Sequence, residues 1–223
     1  MNRQNERALQ PGTAEDPKNE ILNIRNANII STKNQKNSDI VSSNVQAETL
    51  KTKLDFALYL ASIGYRVFPC VPNMKIPTIT EWPVKATRDP EQIREWWSGR
   101  CVVITSKGKK KTLSANCNIG ICPGLDWVIL DVDIKKNNPG AESLQQLITE
   151  GLPHPTFAVW TPSGGIHLYY ENTDKRPIKS VTHWRPGIDI RAHGGQGVGP
   201  GSTIDGIPYK IYEFEEVANA NNQ

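Results

Sequence analysis

The chain has 223 residues, 37% of them apolar and 22% charged, with a formal net charge of +3. No apolar run approaches the roughly 20 residues of a membrane span, and Met1 to Gln4 leads into no apolar stretch of a secretory signal. Four cysteines in this length do not make a disulfide scaffold, so reduced thiols in a cytoplasmic protein are expected, and the mild charge permits a polyanionic partner without arguing for one.

Residues 1–50 contain no Phe, Trp or Tyr, but hold nine Asn, four Gln, six basic and six acidic side chains. Such a segment buries too little apolar surface to offset chain entropy. A disordered leader is expected over 1–50, then one folded domain over 51–217 and a disordered tail over 218–223. Leu54, Ala57, Leu58 and Ala61 recur at helical spacing, and Gly64 sits where that helix would stop. Tyr65 to Phe68 reads as a strand. Pro72, Pro77 and Pro83 mark Cys70 to Lys85 as a loop. Asp89-Pro90-Glu91-Gln92 predicts a helix start, with Asp89 as cap, Pro90 in the first turn and Gln92 closing a capping box. That helix should reach about Trp97.

Val102 to Thr105 reads as a strand, and the run from Ser106 to Lys111 as a basic loop leading to the next strand, Asn118 to Cys122. Trp127 to Asp133 is a buried strand ending in acid, and Ala141 to Ile148 a helix. Phe157 to Trp160 and His167 to Tyr170 read as strands around the turn Thr161 to Gly165. Ile188 to Arg191 and Tyr209 to Phe214 are the last expected strands. Strands dominate with helices between them, so the expected class is α/β or α+β with a mixed sheet.

Val128-Ile129-Leu130-Asp131-Val132-Asp133 carries the sharpest chemical signal. An apolar strand delivers Asp131 and Asp133 to one face, their Cα atoms roughly 6–7 Å apart. Carboxylates so placed can share one divalent ion or bridge two. Two exposed acids at a strand end read equally well from this pattern alone. Asp189 and Arg191 share a face in Gly187-Ile188-Asp189-Ile190-Arg191, where a third metal ligand with a phosphate-binding arginine competes with a plain ion pair. Ser163, Gly164 and Gly165 form a turn whose hydroxyl and backbone N–H groups could meet phosphate, with His167 just beyond, though a simple hairpin turn is the commoner meaning. Lys75, held between Pro72 and Pro77, could meet a triphosphate as a point charge or be an ordinary loop lysine. Cys117 and Cys122 lack a second close Cys/His pair, so structural zinc is not expected. The four lysines from Lys107 to Lys111 read as a solvated loop or a nucleic-acid contact.

Seven segments in order sharpen this reading: "GYRVFPCVPNMKIP", "ATRDPEQIREWW", "NIGICPG", "WVILDVD", "VWTPSGGIHLYY", "GIDIRAHGGQGVGPGS" and "GIPYKIYEF". Over about residues 53–215 they resemble the bifunctional DNA primase/polymerase (Prim-Pol) domain of the archaeo-eukaryotic primase superfamily. The resemblance implies an RRM-like mixed sheet with flanking helices, joined to a small α/β unit. It implies catalytic roles for Asp131, Asp133, His167 and Asp189, with the three aspartates holding two divalent ions, Mg²⁺ or Mn²⁺. Nucleotide binding would fall to Lys75, His167 and Arg191, helped by Ser163, Gly164 and Gly165. The implied partners are single-stranded or primed DNA template and NTP or dNTP, and a replicative helicase would be a separate protein. Replication of a plasmid- or phage-type element is the implied setting. The stretch Arg100 to Cys117 looks like an insertion with no transferable role. A haloacid-dehalogenase-like phosphatase or a sugar-nucleotide glycosyltransferase would also use a DxD strand. The phosphatase further needs an acidic pair after a later strand, which is not evident after Asp189. A degenerate nucleic-acid-binding module is the third reading, disfavoured because all three acids and His167 are present.

Overall fold

Thr52 opens the first helix by a reciprocal cap. Its hydroxyl accepts from the Asp55 N–H at 3.1 Å, and the Asp55 carboxylate accepts from the Thr52 N–H at 2.8 Å. The computed structural model describes residues 50–105, 107–134 and 138–212. The expected tail and most of the expected leader lie outside them, as do Ser106, Phe214 and Asp133's near neighbours 135–137. Leu50, assigned to the leader, packs partly buried against the core.

In chain order the elements are α1 (Lys53–Ser62), β1 (Arg66–Cys70), α2 (Trp82–Lys85), α3 (Pro90–Trp96), β2 (Val102–Ile104), β3 (Lys110–Thr112), β4 (Asn118–Cys122), β5 (Trp127–Val132), α4 (Gly140–Thr149), β6 (Phe157–Trp160), β7 (Ile166–Glu171), β8 (Val181–Arg185), β9 (Ile188–Arg191), β10 (Gly197–Val198), β11 (Thr203–Ile204), β12 (Ile207–Pro208) and β13 (Lys210–Ile211). Three local expectations are corrected. The proline-rich loop contains the short helix α2, which Pro83 can enter because the first helical turn needs no N–H donor. Asp89 caps α3 alone, by accepting from the Glu91 N–H, while Gln92 donates to Glu95 instead of reaching back. Part of the basic loop is the strand β3, paired with β2 as a hairpin.

The main sheet has six strands in the order β13-β6-β7-β5-β9-β8, and a three-stranded sheet has the order β1-β4-β10. The α+β class holds, but the sheet is not mixed: every pairing between the named strands is antiparallel. Short turns join β6 to β7 and β8 to β9, and a turn that short returns the chain antiparallel.

Alternation along the strands divides the main sheet between two cores. Val128, Leu130, Val132, Ala158, Leu168, Tyr170, Ile188 and Ile190 pack with Leu147 of α4 on one face. Ile129, Phe157, Val159 and Tyr169 lie on the other face, in a core shared with α1, α3 and the three-stranded sheet. A seam between a large and a small unit therefore runs along the second face. Asp131, His167, Asp189 and Arg191 alternate onto that face.

The small sheet is packed tightly enough to exclude a methyl group. Gly120 on β4 faces Phe68 on β1 in register, and a Cβ at Gly120 would lie 2.2 Å from the Phe68 ring. The ring is in turn stacked on Trp82 at 4.7 Å, so it has little room to retreat. Gly120→Ala is expected to cost about 1–3 kcal/mol, lowering the thermal midpoint by several degrees, at roughly 2–4 °C per kcal/mol. A midpoint within one degree of the parent, read by circular dichroism on about the same scale, would show that the ring yields freely.

Asp126 links the units electrostatically. It accepts from Arg88, ahead of α3, and pairs with Lys175, beyond β7, at 3.2 Å. Burial pushes the carboxyl up, but the bonds and charges of Arg88 and Lys175 outweigh it and hold it below its usual 3.8. A lowered folded pKa gives stability that is complete above the unfolded value and lost as pH falls through the folded one. Asp126→Asn should therefore reduce the midpoint near neutral pH and flatten its fall below about pH 4. Parallel midpoint-against-pH curves for parent and variant would contradict this.

Candidate active site

Three chemical side chains form one row across the main sheet. Asp131 on β5 stands directly opposite His167 on β7 and opposite Asp189 on β9. The apolar residues between them point to the α4 side, so the row faces the seam. His167 is 6% exposed, and its Nε2 lies 3.4 Å from Asp131 Oδ1. Arg191 reaches both acids, at 2.7 Å from Asp189 Oδ2 and 3.5 Å from Asp131 Oδ2. The second Asp189 oxygen accepts from the His183 N–H at 2.7 Å.

Burial alone would raise the Asp131 carboxyl. The hydrogen bond from His167, then the charges of His167, Arg191 and Lys75, reverse that and hold it at about 2. Asp131 is thus a carboxylate throughout the neutral range. The same interaction places the exposed Lys75 within electrostatic reach of the row. Lys75 sits in a tight turn between β1 and α2, in which Val71 donates to the Ile76 carbonyl at 2.8 Å. Gln196 Nε2 donates to the Lys75 carbonyl at 2.6 Å.

Asp133 lies one residue past the end of β5, with its N–H donating to Gly187 O at 2.8 Å. Three glycines from separate segments crowd the backbone there. A Cβ at Gly165 would lie 2.5 Å from Val132 O, and one at Gly140 would lie 2.2 Å from Asp133 O. Gly187, at φ 70°, would put a Cβ 2.5 Å from Gly140 N.

The Ser163–Gly165 turn differs from the expected phosphate cradle. Gly164 N–H donates to Thr161 O and Gly165 N–H to Thr161 Oγ1, each at 3.0 Å. Both glycine donors are spent closing the turn. The exposed Ser163 hydroxyl shares a 3.0 Å hydrogen bond with Thr161 Oγ1. The turn's contribution is close approach to the end of β5, through Gly165.

Sequence reading missed several neighbours of the row. Tyr169 and Tyr209 are buried with rings 6.3 and 5.8 Å from that of His167, and neither hydroxyl has a hydrogen-bond partner among the described residues. Burial pushes both phenols above their usual range, followed by the Asp131 charge for Tyr209 and by the neighbouring Tyr65 and Tyr209 for Tyr169. Asn118 is fully buried and makes four hydrogen bonds. Its amide donates to Met74 O at 3.0 Å and Thr203 O at 2.8 Å; its carbonyl accepts from Lys53 Nζ at 2.6 Å and Thr203 N–H at 3.1 Å. It thereby ties the turn carrying Lys75 to β4 and β11. An asparagine opening the otherwise apolar Asn118 to Cys122 strand was the available signal.

Cys70, Cys101, Cys117 and Cys122 are buried free thiols. Burial pushes Cys70 up to about 12. Among the described residues, no three His, Cys, Asp or Glu side chains are grouped to hold a metal ion, and no helix is long and apolar enough to cross a membrane. Residues 57–223 match the family model described as "Bifunctional DNA primase/polymerase, N-terminal". No match is found among curated proteins.

Proposed function

Because the chain belongs to the bifunctional DNA primase/polymerase family, we propose that Asp131, Asp133, His167 and Asp189 carry its template-directed nucleotidyl transfer. Membership brings the coarse activity: nucleotidyl transfer of the DNA primase/polymerase type, with DNA and nucleotide as ligands. The residue roles rest above all on the row in which Asp131 is flanked in register by His167 and Asp189.

The donor set suits a hard divalent cation, since all three acids offer carboxylate oxygens. No ready cage of three such side chains stands among the described residues. A Mg²⁺-type ion does not need one, because it takes one or two carboxylates and completes its shell with water and substrate phosphates. Asp131, Asp133 and Asp189 would hold Mg²⁺ or Mn²⁺, two ions in this reading. When bound, such ions acidify an attacking 3′-hydroxyl and neutralise the triphosphate and the departing pyrophosphate.

The protein's own groups then position and balance charge. Arg191 offers a guanidinium fork for phosphate oxygens, and Lys75 a point charge from the opposite side of the seam. Asp131 accepts from His167 Nε2 and fixes the direction of that ring. Ser163 offers its exposed hydroxyl to the triphosphate and His167, held by Asp131, lines the nucleotide side of the row, while Gly164 and Gly165 give the turn its close approach. The chemistry needs preorganised charge and no covalent protein nucleophile. DNA replication of a plasmid- or phage-type element is the setting we infer, with a replicative helicase as a partner.

The test is incorporation of labelled NTPs and dNTPs on a single-stranded template, with and without a primer, in Mg²⁺ or Mn²⁺. Template-dependent product is expected. Product without primer would establish priming, and extension alone a polymerase that needs an initiator. Phosphate release without DNA, or DNA binding with no incorporation under either metal, would overturn the reading.

A further inference from the structure

The hairpin of β2 and β3 is unaccounted for by the site. Lys107, Lys109, Lys110 and Lys111 are all exposed, and none forms an ion pair among the described residues. From Ser98 to Leu125 the chain holds these four lysines and Arg100 but no acid. Four exposed lysines without an ion pair in one hairpin cost solubility nothing, yet they repel one another and gain only from an anion.

The hairpin also exposes apolar surface. Val102 is 57% and Ile104 51% exposed, on one face of β2 by alternation, with Ile104 opposite Lys110 across the ladder. That face combines apolar groups with a cation, as the alternating sugar and phosphate of a nucleic-acid backbone would require. No aromatic side chain lies between Val102 and Thr112, so the element lacks the stacking platform that single strands favour. Lysine serves phosphate as a point charge without reading bases.

Its foot connects through β4 to the turn that carries Lys75. Leu113 N–H donates to Cys101 O at 2.8 Å, closing the hairpin base, and Lys111 acts electrostatically on Cys117. Cys117 precedes Asn118, whose amide holds the turn carrying Lys75.

We propose that the β2–β3 hairpin grips the phosphate backbone of the primer–template duplex, using Lys107, Lys109, Lys110 and Lys111 without sequence preference. This rests on the reading of the chain as a template-directed enzyme and adds the surface that holds the duplex beside the row. The probe is a fluorescein-labelled primer–template duplex with a single-stranded overhang, read by fluorescence anisotropy over a series of KCl concentrations. Metal and nucleotide are left out, so that binding is separated from chemistry. The full chain is compared with a variant carrying Lys107→Ala, Lys109→Ala, Lys110→Ala and Lys111→Ala, and with one carrying arginine at the same four positions.

The alanine variant should bind the duplex roughly tenfold or more weakly at 0.1 M salt, and its log–log salt slope should fall by about 3.6, at about 0.9 for each of the four lost phosphate contacts. The arginine variant should keep the parent slope. Overlapping salt plots for the parent and alanine proteins overturn the hairpin proposal while leaving the enzyme reading intact. A loss confined to a single-stranded probe overturns it as well. A parent chain that binds no DNA overturns both.

Discussion

Asp131→Ala is expected to eliminate primer extension, with a fall of at least about 10²–10³-fold in turnover. Asp131 is the only member of the row with a register partner of the row on both sides. It faces three cationic or donor groups at once: His167, Arg191 and Lys75. Removing it strips His167 of its acceptor and leaves Arg191 bound to Asp189 alone. The fold should persist, because Asp131 is half-buried and packs in neither apolar core. Asp131→Asn separates charge from shape. It keeps an acceptor for His167 but not the negative charge, and it is expected to be as inactive as the alanine variant. Activity of Asp131→Asn within tenfold of the parent, in Mg²⁺ or Mn²⁺, would sink the assignment. Asp133→Ala is expected to behave like Asp131→Ala. Since the Asp131 carboxyl sits at about 2, protonation of this group gives the parent no rate change between about pH 5 and 8.

Gly165→Ala should disable the enzyme from outside the row. The new methyl would lie 2.5 Å from Val132 O and 3.5 Å from the Asp133 Cα. The obstacle at 2.5 Å is backbone, and it cannot rotate away as a side-chain tip can. Either the end of β5 or the start of β7 must shift. One carries Asp131 and Asp133, the other His167, and Val132 pairs with Ile166 between them. A displacement of about 1 Å at reacting groups costs on the order of 10²-fold. Overpacking should also cost about 1–3 kcal/mol of stability. Turnover and thermal midpoint measured together test the account. Normal turnover with a normal midpoint would mean that the strands absorb the methyl without moving the acids.

Much of the site was legible as one-dimensional pattern. The run Val128 to Asp133 announces an apolar strand ending in acid because a strand repeats every two residues. Asp189 and Arg191 share a face for the same reason, and the structure has them in contact at 2.7 Å. Gly64 and Asp89 mark helix ends through local hydrogen bonding and backbone freedom, so neighbouring residues suffice to read them. Even there, Gln92 went astray. A side chain that can cap can equally reach along its helix, and Glu95 offered the nearer partner.

Tertiary structure decided what periodicity cannot encode. Alternation says that Asp131 points to one side of β5, but not that β7 and β9 flank it. That order follows from how the apolar faces close on α4 and on the small sheet. The same packing buries Asn118, brings Tyr169 and Tyr209 beside His167, and sets Lys75 across the seam from Asp131. Hydrogen-bond accounting inside the Thr161 to Gly165 turn consumes the glycine N–H groups that sequence reading had offered to phosphate. The four lysines between Lys107 and Lys111 were visible as charge from the beginning. Pairing of β3 with β2 is what turns them from a loop into a presented surface. Sequence by itself determined which side chains have the chemistry for metal, phosphate and nucleotide. Only the long-range closure of the strands decided which of them meet, because register and strand order arise from burial shared between distant segments.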